Sequence, residues 1–164
     1  MNITTGTNET LRATVARLEW EASDPSTRQP ANLEVARGYR VLGGVRSDQL
    51  NLISALEALS RAVELDTVLL AESPRKADYR LEYALALQAL GTLYRRRADP
   101  AMARENSSHA RTLILELAKE HAVPDNYFTL PGQLAIDIAS ADAIEARMRG
   151  NGAQPAASAG AVVP

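Results

Sequence analysis

Two glycines, Gly43 and Gly91, are each followed by alanines 12 and 19 residues later: Ala55 and Ala62 in one case, Ala103 and Ala110 in the other. The two sets lie 48 residues apart. The same offset relates Leu42 with Leu90, Ala36 with Ala84, Leu65 with Leu113, Leu69 with Leu117 and Glu72 with Glu120. Helix packing constrains positions of this kind. A Gly on one helix and two Ala seven apart on the next lie along contact faces. Small side chains there let antiparallel helices approach to roughly 8–9 Å, while the flanking Leu residues fill the space around the contact. A chain that carries this code twice is expected to be built from helical hairpins.

Apolar periodicity agrees. Leu11, Val15, Leu18 and Ala22 recur at helical spacing and predict a first helix over 7–23, which Asp24-Pro25 stops. Residues 24–30 read as a loop held by two prolines, and Asn32 is a good N-cap for a second helix through Leu33, Ala36, Tyr39 and Leu42. Asp48 is expected to cap a long third helix that ends at Ser73-Pro74, and Asp78 a fourth running through Leu90 and Tyr94. Asp99-Pro100 reads as an N-cap followed by Pro at the first helical position, where its missing N–H is no loss. The fifth helix runs to about His121, and a sixth from Thr129 to Gly150. Residues 1–6 are expected to be a disordered N-terminus and 150–164 a disordered tail. Aromatics make up only 4% of the chain, which favours close-packed helices over strands.

Leu87, Leu90-Gly91 and Tyr94, followed by Ala103 and Ala110, resemble the tetratricopeptide repeat, whose pattern is an aromatic residue or Leu, then Leu-Gly, then Tyr, then small residues on the second helix. Tyr39, Leu42-Gly43, Ala55 and Ala62 form the other copy, with Arg46 where the pattern has Tyr. Ser107 stands where a bulky aromatic is usual, and Leu59 takes that place in the first copy. The family's period is about 34 residues, so ~14 extra residues lengthen mostly the second helix of each pair. Elongated repeats of this kind resemble those following the catalytic domain of some bacterial serine/threonine protein kinases. The resemblance covers residues 32–124. It implies an all-α fold of antiparallel helical hairpins stacked as a short right-handed solenoid, with repeat one at 32–73 and repeat two at 78–122. Cap helices at 7–23 and 129–149 complete a single domain over 7–149. The implied protein is a bacterial, cytoplasmic, protein-binding scaffold.

Nothing in the chain reads as catalytic machinery. There is no phosphate-binding "GxxxxGK[ST]" loop and no kinase signature. His109 and His121 are too far apart on one helix to share a metal, and the adjacent Ser107-Ser108-His109 point in different directions. Asp137 with Asp142, and Glu116 with Glu120, read as solvated faces. No cysteine is present. No enzyme activity, cofactor or metal is expected. The formal charge of −2 lacks the basic excess of a nucleic-acid binder. No run of 18 apolar residues suggests a membrane span, and "MNITTGTNET" lacks the basic start and apolar core of a signal peptide.

In the implied architecture the first helix of each hairpin lines a groove. Residues offset from the packing motif then face it: Arg37, Arg40 and Val41 on one hairpin, Gln88, Ala89, Thr92, Arg95 and Arg96 on the next. Guanidinium forks suit carboxylates, so an acidic segment of a protein partner is the expected occupant. Arg97 reads as the helix end, where a cation meets the negative end of the dipole. The family's carboxylate-binding repeats also use an Asn after the motif glycine, where this chain has Gly44 and Thr92. The competing expectation is a structural subunit whose exposed hairpin faces pair into a homo-oligomer.

Overall fold

The computed structural model describes residues 3–21, 23–24 and 28–152. Six α-helices follow one another: α1 (Ile3–Glu21), α2 (Arg28–Asp48), α3 (Leu52–Glu72), α4 (Ala77–Arg96), α5 (Pro100–Lys119) and α6 (Leu130–Gly152). A short 3-10 turn, Asp125–Tyr127, precedes α6. Among the described residues there is no strand, and no helix is long and apolar enough to cross a membrane.

Four helix starts differ from the sequence expectation. The N-terminal segment expected to be disordered is helical from Ile3 onward. α2 begins at Arg28, four residues before Asn32, and takes Pro30 into its first turn. Proline is tolerated there because the first N–H groups of a helix have no intrahelical partner. The cap of α3 is Asn51, not Asp48: the Asn51 side chain accepts the Ser54 N–H, and Asp48 is the last residue of α2. Asp78 lies in the first turn of α4, where Lys76 is the flanking residue without a side-chain cap. Asp99 does cap α5, accepting the Met102 N–H, with Pro100 next. α6 continues past Gly150 to Gly152, and the rest of the expected tail lies outside the described residues.

The corners share one construction. Leu50, Ala98 and His121 follow α2, α4 and α5 with φ of 60°, 57° and 54°. In each case the next N–H reaches back to a helix carbonyl: Asn51 to Arg46, Asp99 to Tyr94 and Ala122 to Leu117, all at 2.9 Å. A left-handed residue with this six-residue closure satisfies carbonyls that the helix end would otherwise leave bare. In the first two corners the next residue is the Asn or Asp cap of the following helix, so three residues close one helix and open the next.

α2 packs with α3 and α4 with α5, while α4 also rests on α3 and α2, and α6 on α5 and α4. α1 lies chiefly on α2. α2, α4 and α6 therefore form one layer, in contact side by side. α1, α3 and α5 form the other, where neighbour contact is marginal at most. The largest buried cluster joins Ala84, Leu87, Ala110, Ile114, Leu117 and Leu134 across α4, α5 and α6.

The pairing within each hairpin depends on a glycine. A methyl group on Gly43 would lie 2.5 Å from Leu59 Cγ and 3.3 Å from the Ala55 carbonyl oxygen. On Gly91 it would lie 2.5 Å from Ser107 Oγ and 3.2 Å from the Ala103 carbonyl oxygen. Gly44, one residue from the first of these, has nothing within 4 Å of that position. Gly44→Ala is therefore expected to stabilise the protein by about 0.5–1 kcal/mol, the helix-propensity gain alone. Gly91→Ala is expected to destabilise it by about 1–3 kcal/mol, because helix α5 must move away. Denaturant midpoints of the two variants, shifting in opposite directions, check the placement of the contact.

Candidate functional site

The residues expected to line a groove lie on α2 (Arg37, Arg40, Val41) and α4 (Gln88, Thr92, Arg95, Arg96). These two helices touch each other, and α4 touches α6, so the residues share one face of the protein. Val41 is exposed, and Gln88, Ala89 and Thr92 are half-buried. The four arginines all reach across to an acidic or hydroxyl group of a neighbouring helix, which the sequence reading did not foresee. Arg37 Nε donates to Glu82 Oε2 at 3.1 Å and its Nη1 to Glu34 Oε1 at 2.6 Å. Arg40 Nε donates to the other oxygen of Glu82. Arg96 donates from Nη1 to Ser47 Oγ and from Nη2 to Asp48 Oδ1, both at 2.9 Å. Arg95 Nη1 pairs with Asp137 Oδ1 on α6, and Gln133 Nε2 adds a second bond to that oxygen at 3.3 Å.

These pairs do two things. They tie α2 to α4 and α4 to α6, and they neutralise much of the positive charge the groove was expected to offer. The side chains of Glu82 and Asp137 are only 4% and 8% exposed, so each carboxylate depends on its arginine. Removing one partner of such a pair leaves a buried charge unmatched, at a cost on the order of 3–5 kcal/mol. Arg37 has its guanidinium pKa raised: burial acts against this, but its hydrogen bonds to Glu82 and Glu34, with their charges, outweigh it. Asp137, expected on a solvated face, is buried, because Arg95 of α4 faces it. Its companion Asp142 is exposed beside Arg104, and Glu116 and Glu120 clasp Arg80 at 3.0 and 2.7 Å.

The chemistry left to the face is that of an adaptable polar surface. Arg40 commits only Nε and Arg95 only Nη1, so each guanidinium, with five N–H groups, keeps donors for a second acceptor. Val41, 43% exposed, adds apolar area. Among the described residues no three His, Cys, Asp or Glu side chains are placed to hold a metal. His109 is exposed and lies edge-on to Tyr83 with ring centroids 5.5 Å apart, and His121 forms the corner after α5. Arg97 ends α4 with its guanidinium 6.0 Å above the Tyr94 ring.

Beneath this face lies a carboxyl group that sequence reading missed. Asp66 of α3 is fully buried, and neither of its oxygens has a hydrogen-bond partner. Burial first, and the nearby Glu82 second, push its pKa up to about 8, against the smaller opposing pull of Arg40 and Arg37. The 48-residue offset places Ile114 at the matching point of α5, where the side chain is likewise fully buried. Asp66 thus occupies a core position in its protonated, neutral form at pH 7. Comparison with known protein families, with curated proteins and with solved structures finds no match to this chain.

The sign of the resulting pH dependence follows from the raised pKa. Below about pH 4 Asp66 is protonated in both the folded and unfolded chain and costs nothing by ionisation. As pH rises towards 8 the unfolded chain ionises while the folded chain holds its proton, and stability falls by up to about 1.4 kcal/mol per unit. Above that range the loss levels off. Asp66→Asn is expected to gain stability relative to wild type progressively between pH 4 and 8. Urea unfolding of both proteins across that range tests this; a pH-independent difference would show that Asp66 ionises freely.

Proposed function

We propose that the chain is a non-enzymatic interaction module of tetratricopeptide-like hairpins that holds a segment of a partner protein along the α2–α4–α6 face. The carrying observation is the asymmetry of the two layers. α2, α4 and α6 touch side by side, while α1, α3 and α5 barely meet one another. A stack that is tight on one side and splayed on the other curves with the tight side inward, which makes that face concave and supports a short right-handed solenoid. The duplicated glycine contacts at Gly43 and Gly91, and the duplicated corners at Leu50 and Ala98, favour two repeats of period 48. In this reading α6 stands to α4 and α5 as α4 stands to α2 and α3, and the protein is a cytoplasmic bacterial scaffold.

Val41, Gln88, Thr92 and Arg96 give the face apolar, amide, hydroxyl and guanidinium groups suited to an extended segment. The spare donors of Arg40 and Arg95 favour acidic residues in it, more weakly than four unpaired arginines would. Fluorescence anisotropy with acidic and charge-neutral peptides tests the reading. Acidic peptides are expected to bind better at low salt, and Arg96→Gln and Val41→Asp are each expected to weaken them several-fold. Arg96 and Val41 are the choice because neither holds a buried carboxylate. Equal binding of both peptides to wild type and variants removes the acidic-segment reading.

A second reading, self-association, is favoured by the outer side of α6. Ala135, Ile136, Ala139 and Ala143 are exposed there, opposite the buried Leu134, Asp137 and Ala141. A stripe this free of charge suits a second copy of the chain. Light scattering at two concentrations is then expected to show a larger species that Ile136→Glu abolishes.

A further inference from the structure

At the N-terminal end α1 rests chiefly on α2. Between α1 and α3, over α2, opens a cleft of about 360 Å³. A smaller depression of about 220 Å³ shares Glu19 and Arg61 with it. Val15 and Ala16 from α1, Leu42 from α2 and Ala58 from α3 give the cleft apolar walls. Each of the same three helices also sends in an arginine: Arg12, Arg46 and Arg61.

The charges there are unevenly matched. Arg61 Nη1 is held by Glu64 at 3.0 Å, and Glu19 accepts the Tyr39 hydroxyl at 2.7 Å. Arg46 Nη1 donates to the Ser54 carbonyl at 3.0 Å, a neutral acceptor. Arg12 makes no hydrogen bond or ion pair among the described residues. The guanidinium of Arg46 is held below its ordinary pKa, by burial first and then by the positive charge of Arg12, with Glu57 opposing. Two cations thus line one partly apolar cleft, and the groups around Arg46 do not fully compensate the nearby charge of Arg12. Placing an anion between them relieves that repulsion and gives their remaining N–H groups a charged acceptor.

We propose that this cleft binds a small organic monoanion, its carboxylate held by Arg12 and Arg46 and its short apolar body lying against Val15, Leu42 and Ala58. The volume lies at the lower end of the range of small-molecule sites, about 300–1,000 Å³. The carboxylates of Glu19 and Glu57 in the lining oppose a second negative charge on the ligand. Because Arg12 and Arg46 belong to different helices, the ligand fastens α1 to α2 and, through Ala58 and Arg61, to α3.

The experiment is an NMR titration of the full chain with octanoate, followed on backbone amides, with octanamide as the neutral isostere and octyl phosphate at pH 8 as the dianion. Octanoate is expected to give saturable shifts at Val15, Leu42 and Ala58 and to raise the melting temperature. Octanamide is expected to bind at least tenfold more weakly. Arg12→Gln is expected to weaken octanoate at least tenfold without lowering the melting temperature of the free protein, since Arg12 is exposed and makes no ion pair among the described residues. Arg12→Lys, which keeps the charge, is expected to restore most of the binding, and Arg104→Gln, between α5 and α6, to leave it unchanged. Non-saturable shifts, equal binding of octanamide, or indifference to Arg12→Gln would overturn the site. Tighter binding of octyl phosphate than of octanoate would overturn the monoanion assignment. The peptide experiment on the α2–α4–α6 face is independent of all these outcomes.

Discussion

Backbone proximity at two glycines sets the architecture. At Gly43 and Gly91 the paired helix runs so close that its carbonyl oxygens, Ala55 and Ala103, stand within 3.3 Å of where a methyl group would be. Two helices this close must have small residues along the seam, and Ala55, Ala62, Ala103 and Ala110 are all buried there. Leu59 packs directly against Gly43 in the first seam, and with Leu90 and Leu93 of α4 it fills the space between hairpins. The same proximity makes the three-residue corners after α2 and α4 long enough to join the paired helices.

Charge is organised around that scaffold in two distinct ways. On the α2–α4–α6 face, cation and carboxylate meet in pairs that cross from one helix to the next, so the layer is held together by matched charges at its surface and apolar contact beneath. At the α1–α2–α3 cleft the arginines converge without full matching. The first arrangement is what a surface needs to keep neighbouring helices in register. The second leaves Arg46 facing the like charge of Arg12, with Glu57 offsetting it only in part. Asp66 represents a third solution, in which a carboxyl group in the core escapes the cost of ionisation by keeping its proton.

The helices and the duplicated seam were legible because both are properties of spacing along the chain. Asp48 and Asn51 obey the same local rule for an N-cap, and only the tertiary structure separates them: Asp48 is drawn to Arg96 of α4. The 48-residue offset in the sequence points to Asn51, since Asp99 less 48 falls on it. Asp137 looked solvated because its own helix gives no reason for burial; the reason is Arg95, 42 residues earlier on the adjacent helix. Likewise the arginines of the face could be placed on it from sequence, but their partners depend on how far one helix slides along another. The cleft was invisible for a stronger reason. Arg12, Arg46 and Arg61 share no period, and only the angle at which α1 meets α2 and α3 brings them together. Asp66 left a faint signal, a lone acid in an apolar row whose counterpart is Ile114.

The protonated state of Asp66 also enters the energetics of folding as a matter of mass balance. At neutral pH the unfolded chain carries this group as a carboxylate and the folded chain as an acid, so folding draws close to one proton from solution. That proton comes from the buffer. The heat released on folding therefore contains the buffer's own ionisation enthalpy. Calorimetry in phosphate and in an amine buffer at the same pH will assign this one chain two different enthalpies and a single free energy.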